Sequence, residues 1–190
     1  MAKKKYRVAL VTPVFNRREH TRAFLRSLKN QTFKEFVVII TDDGSSDGTS
    51  EMIKKEFPAT ILLRGDGNLW WSGGTNMAVE YARHHKIPFV LTINDDVELP
   101  NEYLENIVRC AGDNPHTLVG SMVCYRGDPD RVWYCGARFN NRTGDIAHIT
   151  GAVHDFKSTV TSEWLTGMGV LIPTPIFDKV GTFNAVEYPQ

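Results

Sequence analysis

The stretch Phe36-Val37-Val38-Ile39-Ile40-Thr41-Asp42-Asp43-Gly44-Ser45-Ser46-Asp47-Gly48-Thr49 decides the fold. Its opening apolar run, without polar alternation, is the pattern of a strand buried on both faces of a parallel sheet. The run stops in acids, serines and glycines, which make a loop. A helix is expected from Thr49 to Phe57, stopped by Pro58.

The same unit repeats on either side. Before it, Arg7 to Thr12 reads as a strand, and Arg18 to Gln31 as a helix with Ala23, Phe24, Leu25 and Leu28 on its apolar stripe. After it come a strand at Thr60 to Leu63, a helix at Gly74 to His85 and a strand at Pro88 to Ile93. A further helix is expected at Asn101 to Ala111. Such alternation makes an α/β protein: a mainly parallel central sheet with helices on both faces. Ligands then bind beyond the carboxyl ends of the strands, in the loops after Val11, Ile40, Leu63 and Ile93.

From about Leu118 the pattern changes. Leu118 to Tyr125, Arg131 to Tyr134 and Glu163 to Pro173 read as strands without intervening helices. Gly127-Asp128-Pro129-Asp130 and Asn140 to Gly144 read as turns. The expectation is a mixed C-terminal half on the same sheet, within a single domain spanning 1–190.

Composition narrows the class. The chain has 190 residues, 42% of them hydrophobic, with 22 Lys+Arg balancing 22 Asp+Glu. Zero formal charge without a basic stripe argues against a nucleic-acid partner. Lys3-Lys4-Lys5 reads as a solvated arm. The longest apolar run, Phe36 to Ile40, is far short of the roughly 20 residues that span a bilayer. Cys110, Cys124 and Cys135 lack CxxC spacing, which suits reduced thiols in the cytosol.

Several motifs compete for the loops. A calcium loop starting at Asp43 fails because its twelfth position is Lys54, where a glutamate is needed. Gly44-Ser45-Ser46-Asp47-Gly48 matches a serine hydrolase elbow, with Ser46 as nucleophile and His148 or His154 as base. Against it, no oxyanion segment is present and Asp42-Asp43 would oppose a developing oxyanion. Gly65-Asp66-Gly67 begins like a dinucleotide fingerprint, but Trp70 stands at the third glycine position. The most informative segment is Leu91-Thr92-Ile93-Asn94-Asp95-Asp96-Val97-Glu98. A buried strand there ends in adjacent carboxylates, which repel unless a cation compensates them. A divalent ion shared with a diphosphate is one such cation.

Taken together, these residues resemble the inverting family 2 glycosyltransferases of the GT-A fold, a nucleotide-diphospho-sugar transferase architecture. The resemblance rests on Thr12 to Arg17, Asp42 to Thr49, Gly67-Asn68 through Gly74-Thr75-Asn76, and Asn94-Asp95-Asp96, in that order. The stretch Gly67 to Gly74 is similar to a bacterial rhamnosyltransferase-like subgroup.

The resemblance implies a nucleotide-sugar-binding half at about 7–115 and an acceptor-side half at about 116–190. Thr12, Pro13 and Phe15 would border the nucleotide base. Asp42 or Asp43 would bind base or ribose, and Asn68 and Asn76 would sit near the diphosphate. Asp95 and Asp96 would form the acidic motif, with Asp96 holding Mg²⁺ or Mn²⁺; Asn94 replaces that motif's first acid. Trp70 and Trp71 would line the sugar pocket. Trp164 would stack on a sugar or serve as a core aromatic. The usual catalytic base follows a segment like Phe177 to Asn184, where Glu187 is the only acid, so the chain is expected to stop short of it. The implied partners are a UDP- or dTDP-sugar and a glycan or lipid-linked acceptor. A cytoplasmic location, with peripheral membrane contact, would follow. A non-catalytic nucleotide-sugar-binding fragment and the Ser46 hydrolase are the alternatives.

Overall fold

The structure, a computed structural model, describes residues 6–112 and 116–189. Lys3-Lys4-Lys5 lies outside them. The chain first lays down β1 (Val8–Val14), α1 (Arg18–Leu28), β2 (Phe36–Asp42), α2 (Thr49–Glu56) and β3 (Ile61–Arg64). Next come α3 (Trp70–His84), β4 (Phe89–Thr92) and α4 (Tyr103–Ala111). The remainder is β5 (Val119–Gly120), β6 (Val123–Tyr125), β7 (Asp128–Tyr134), β8 (Ala137–Phe139), β9 (Ile146–His148), β10 (Gly151–Ala152), β11 (Val170–Pro173) and α5 (Pro175–Val180).

Six strands form the central sheet in the order β3-β2-β1-β4-β11-β5. β1 pairs in parallel with β2 (Val8 opposite Phe36) and with β4 (Leu10 opposite Leu91), and β2 with β3. β11 runs antiparallel to both β4 and β5, so the sheet is mixed but mainly parallel.

Successive residues of β2 show why its apolar run has no gaps. Val38 and Ile40 join a core with Phe24, Leu25 and Leu28 of α1, Met52 and Ile53 of α2, and Leu104, Ile107 and Val108 of α4. Val37 and Ile39 face the other way, onto Ala78, Val79 and Ala82 of α3 and Phe177 of α5. Both faces are covered, as a parallel sheet demands. The buried stripe of α1 is Thr21, Phe24, Leu25 and Leu28, whereas Ala23 is exposed. The helical period places residues 21, 24, 25 and 28 on one side.

Several expectations change. Of the span Glu163 to Pro173 only Val170–Pro173 is strand, and Leu118 to Tyr125 splits into β5 and β6, which belong to different sheets. α3 starts at Trp70, four residues before Gly74, because Asp43 receives its first amides. The cluster 127–130 is mostly strand: β6 and β7 meet in a tight hairpin at Arg126-Gly127, where Gly127 has φ +83°. The C-terminal half does not all join one sheet. Only β5 and β11 do, while β10-β7-β6 and β8-β9 form two small sheets of their own.

Candidate active site at the carboxyl edge of the sheet

β1, β2, β3 and β4 all end on the same edge, and their loops are laced together by side chains. Asn16, held at φ +53°, accepts the Ser46 N–H at 2.8 Å, while its own N–H donates to the Ser45 hydroxyl at 2.8 Å. Asp47 accepts the Arg18 N–H at 3.0 Å with one oxygen and the Thr49 N–H at 3.0 Å with the other. Burial works to raise the Asp47 pKa, but hydrogen bonds from the Thr49 hydroxyl and these amides outweigh it and hold it low.

Asp42 and Asp43 are both buried. Asp42 accepts the Ser45 N–H at 2.9 Å and the Ser50 hydroxyl, shaping its own loop. Asp43 accepts the amides of Gly67 (2.9 Å), Leu69 (2.9 Å) and Trp70 (3.0 Å), so it anchors the next loop and starts α3. All four carboxylate oxygens of this pair therefore serve as braces.

After β4 the adjacent acids part company. Asp95 is 4% exposed, and its oxygens accept Arg17 Nε at 2.6 Å and the Thr21 hydroxyl at 2.7 Å. Asp96 has a side chain 49% exposed and accepts Arg17 Nη2 at 3.1 Å through Oδ2. The cation that relieves the repulsion is thus Arg17. No role for Arg17 stands out in the loop motifs, although Arg17 and Thr21, four apart at the start of a helix, share a face.

Asp96 Oδ1 accepts no protein hydrogen bond among the described residues. It belongs to a half-exposed carboxylate, a hard oxygen ligand of the type Mg²⁺ and Mn²⁺ prefer. No group of three or more His, Cys, Asp or Glu among the described residues is placed to hold a metal alone. The two carboxylates alone make at most a weak cation site, which oxygens from a ligand such as diphosphate would complete, as is common for Mg²⁺.

The tryptophans differ in kind. Trp70, at φ +56°, is 64% exposed at the head of α3. Trp71 donates from Nε1 to Asn94 Oδ1 at 3.2 Å and meets Phe183 edge-on at 5.4 Å. A Cβ on Gly167 would lie 3.0 Å from the Trp71 ring, so the two halves of the chain meet there. Trp164 stacks on His148 at 5.9 Å, beside Tyr134, whose hydroxyl donates to the Trp164 carbonyl at 2.8 Å.

Thr12 is buried and Pro13 half-buried, whereas Phe15 is 55% exposed at the edge. Asn68 is exposed on the β3–α3 loop. The Asn76 amide is spent elsewhere: it donates to the Phe183 carbonyl at 2.7 Å and accepts the Phe183 N–H at 2.9 Å. Glu187 is exposed and bonded to Asn184 Nδ2 at 2.8 Å, with no hydrogen bond to the carboxylate loop. The hydrolase geometry is not formed. Ser46 turns its hydroxyl to Asn16 Oδ1 (3.4 Å), while His148 belongs to the Trp164 cluster and His154 pairs with Asp155.

Against known proteins, residues 9–161 match the model of glycosyl transferase family 2. The N-acetylglucosaminyl-diphospho-decaprenol L-rhamnosyltransferase of Mycobacterium tuberculosis is 24% identical over 87% of this chain and 61% of its own length. A Campylobacter jejuni protein, GalNAc(5)-diNAcBac-PP-undecaprenol beta-1,3-glucosyltransferase, is 26% identical over 62% of this chain and 38% of its own. This chain therefore spans less than two thirds of either relative. Among solved structures, the mannosyltransferase PcManGT from Pyrobaculum calidifontis, in complex with GDP-Man and Mn²⁺, superposes with a TM-score of 0.67 at 16% identity. That match covers 96% of this chain and 48% of the other. S. aureus TarS in complex with UDP-GlcNAc gives 0.59 at 18% identity, covering 91% and 47%. These likenesses establish the GT-A fold.

Proposed function

The chain belongs to glycosyl transferase family 2, and from that premise we propose that it binds a nucleoside-diphosphate sugar for metal-dependent transfer, with inversion, to a glycan or lipid-linked acceptor. The observation that carries this reading is the unequal carboxylate pair: Asp95 buried and braced, Asp96 exposed with a free oxygen.

In this reading the nucleoside lies along the edge formed by Thr12, Pro13 and Phe15. Asp42 and Asp43 serve it through the loops that they brace. The diphosphate, from a UDP-, dTDP- or GDP-sugar, comes to the carboxylate loop beside Asn68. Asp96, with Asp95 behind it, would hold Mg²⁺ or Mn²⁺. A divalent cation supplies Lewis-acid stabilisation of the departing diphosphate. Trp70 and Trp71 face the donor sugar, and Trp164 belongs to the acceptor side. The acceptor hydroxyl attacks the anomeric carbon as the bond to the diphosphate breaks, and a general base takes the hydroxyl proton. Glu187, committed to Asn184, receives no catalytic role here.

The names of the two relatives, one with a diphospho-decaprenol and one with a PP-undecaprenol carrier, favour a lipid-linked acceptor, and a place in bacterial-type surface polysaccharide synthesis is part of the same proposal. No helix among the described residues is long and apolar enough to cross a membrane. A cytoplasmic protein with peripheral membrane contact fits that role. Calorimetric titration with UDP, dTDP and GDP in Mn²⁺ tests the reading. One nucleotide should bind, and Asp96→Asn should weaken it on the order of 100-fold. Affinity that survives both this substitution and chelation of the metal sinks the cation's role.

A further inference from the structure

Arg17 is the one cation among the described residues that pairs with both carboxylates, and its two contacts differ in character. The Nε contact is 2.6 Å to Asp95, which is 4% exposed and also fixed by the Thr21 hydroxyl. The Nη2 contact is 3.1 Å to Asp96, whose side chain is 49% exposed. One end of the fork is anchored and the other faces solvent. Nearby, Arg126 Nη2 reaches the Asp96 carbonyl at 3.4 Å and pairs with Glu98 at 3.5 Å, so it does not occupy the Asp96 carboxylate.

Resting on the donor-and-cation reading above, we propose that Arg17 is a positioning residue that makes cation binding conditional on the nucleoside diphosphate. Before the donor arrives, the guanidinium already neutralises Asp96. A divalent ion approaching that carboxylate meets a like charge and must displace a charge-assisted hydrogen bond. Diphosphate oxygens give Nη2 another anionic partner, one that suits a planar fork. Asp96 is then released to the cation while Nε stays on Asp95. The guanidinium thereby links two binding events, and linkage of this kind is reciprocal.

The signs separate this role from a purely structural one. Loss of a structural brace weakens cation and nucleotide binding together. Loss of a gate strengthens cation binding alone while weakening the nucleotide. Arg17→Lys is informative because one ammonium keeps a charge for buried Asp95 but lacks the fork that spans both acids.

The experiment follows free Mn²⁺ by its electron paramagnetic resonance signal, with and without UDP, dTDP or GDP, in the wild-type chain, Arg17→Gln and Arg17→Lys. Circular dichroism reports folding. In the wild type, the recognised nucleotide should tighten Mn²⁺ binding on the order of 100-fold. Arg17→Gln should bind Mn²⁺ alone about tenfold more tightly than wild type, with the enhancement by nucleotide reduced to about tenfold or less. Arg17→Lys should shift in the same direction, and it decides the matter if Arg17→Gln does not fold. Mn²⁺ affinity in the absence of nucleotide that is no tighter in either folded variant overturns the gate but leaves the donor-and-cation reading intact. A wild-type chain that binds no Mn²⁺ with any of the three nucleotides overturns both.

Discussion

The Asp47 carboxylate serves two helices at once, taking an amide at the start of α1 and another at the start of α2. Asp47→Ala should therefore destabilise the fold by about 1 kcal/mol near neutral pH, the usual loss for a missing cap. Its pKa is lowered in the folded chain, so the contribution is fully present above the unfolded pKa and is lost as pH falls through the folded one. Denaturant melts of wild type and Asp47→Ala should converge in acid; a gap that persists there contradicts the argument. The same scale shows what sequence makes legible. An acidic pair at a strand end announces Asp95 and Asp96. It does not say which becomes buried, because that depends on Arg17 and Thr21, 78 and 74 positions away. Likewise nothing in the pair Asp42-Asp43 says that both brace loops, Asp42 its own through the Ser45 amide and Asp43 the next through the amides of Gly67 and Leu69.

At the scale of elements, α3 lies tight against the sheet. A Cβ on Gly74 would fall 2.6 Å from Pro13 Cβ, and the Gly74 carbonyl accepts the Thr41 hydroxyl at 2.7 Å. Gly74→Ala forces helix and strand apart and should cost about 1–3 kcal/mol. Because Pro13 borders the proposed nucleoside edge, nucleotide affinity should fall as well, read by the same calorimetric titration. A variant with unchanged melting and binding would show that the contact relaxes freely. The helices and parallel strands were legible because their apolar spacing repeats over many residues. The start of α3 was not, since Gly73-Gly74 reads as a loop until the Asp43 carboxylate, just past the end of β2, accepts the amides of Leu69 and Trp70. The short strands β5, β6, β8, β9 and β10 carry only two or three residues each, too few for periodicity to assign them to a sheet.

At the scale of the whole molecule, the core divides into a tightly covered sheet and an exposed C-terminal excursion. Leu10, Ile39 and Val90 have no exposed surface, whereas residues 141–148 are exposed throughout. Hydrogen exchange should be slowest in β1, β2 and β4, and at least about 100-fold faster in the β8–β9 hairpin. Equal protection would mean that the small sheets unfold only with the core. The position of β11 bears on how the chain is made. Thr92 and Val170 face each other across the sheet, yet they are 78 positions apart. On the ribosome, β4 therefore emerges with one side of its backbone unpaired, and that margin stays open until β11 follows. An open strand margin invites pairing with other chains. A nascent chain that exposes β4 before β11 presents an open edge, so slowing synthesis between the two strands should lower the soluble yield of full-length chain.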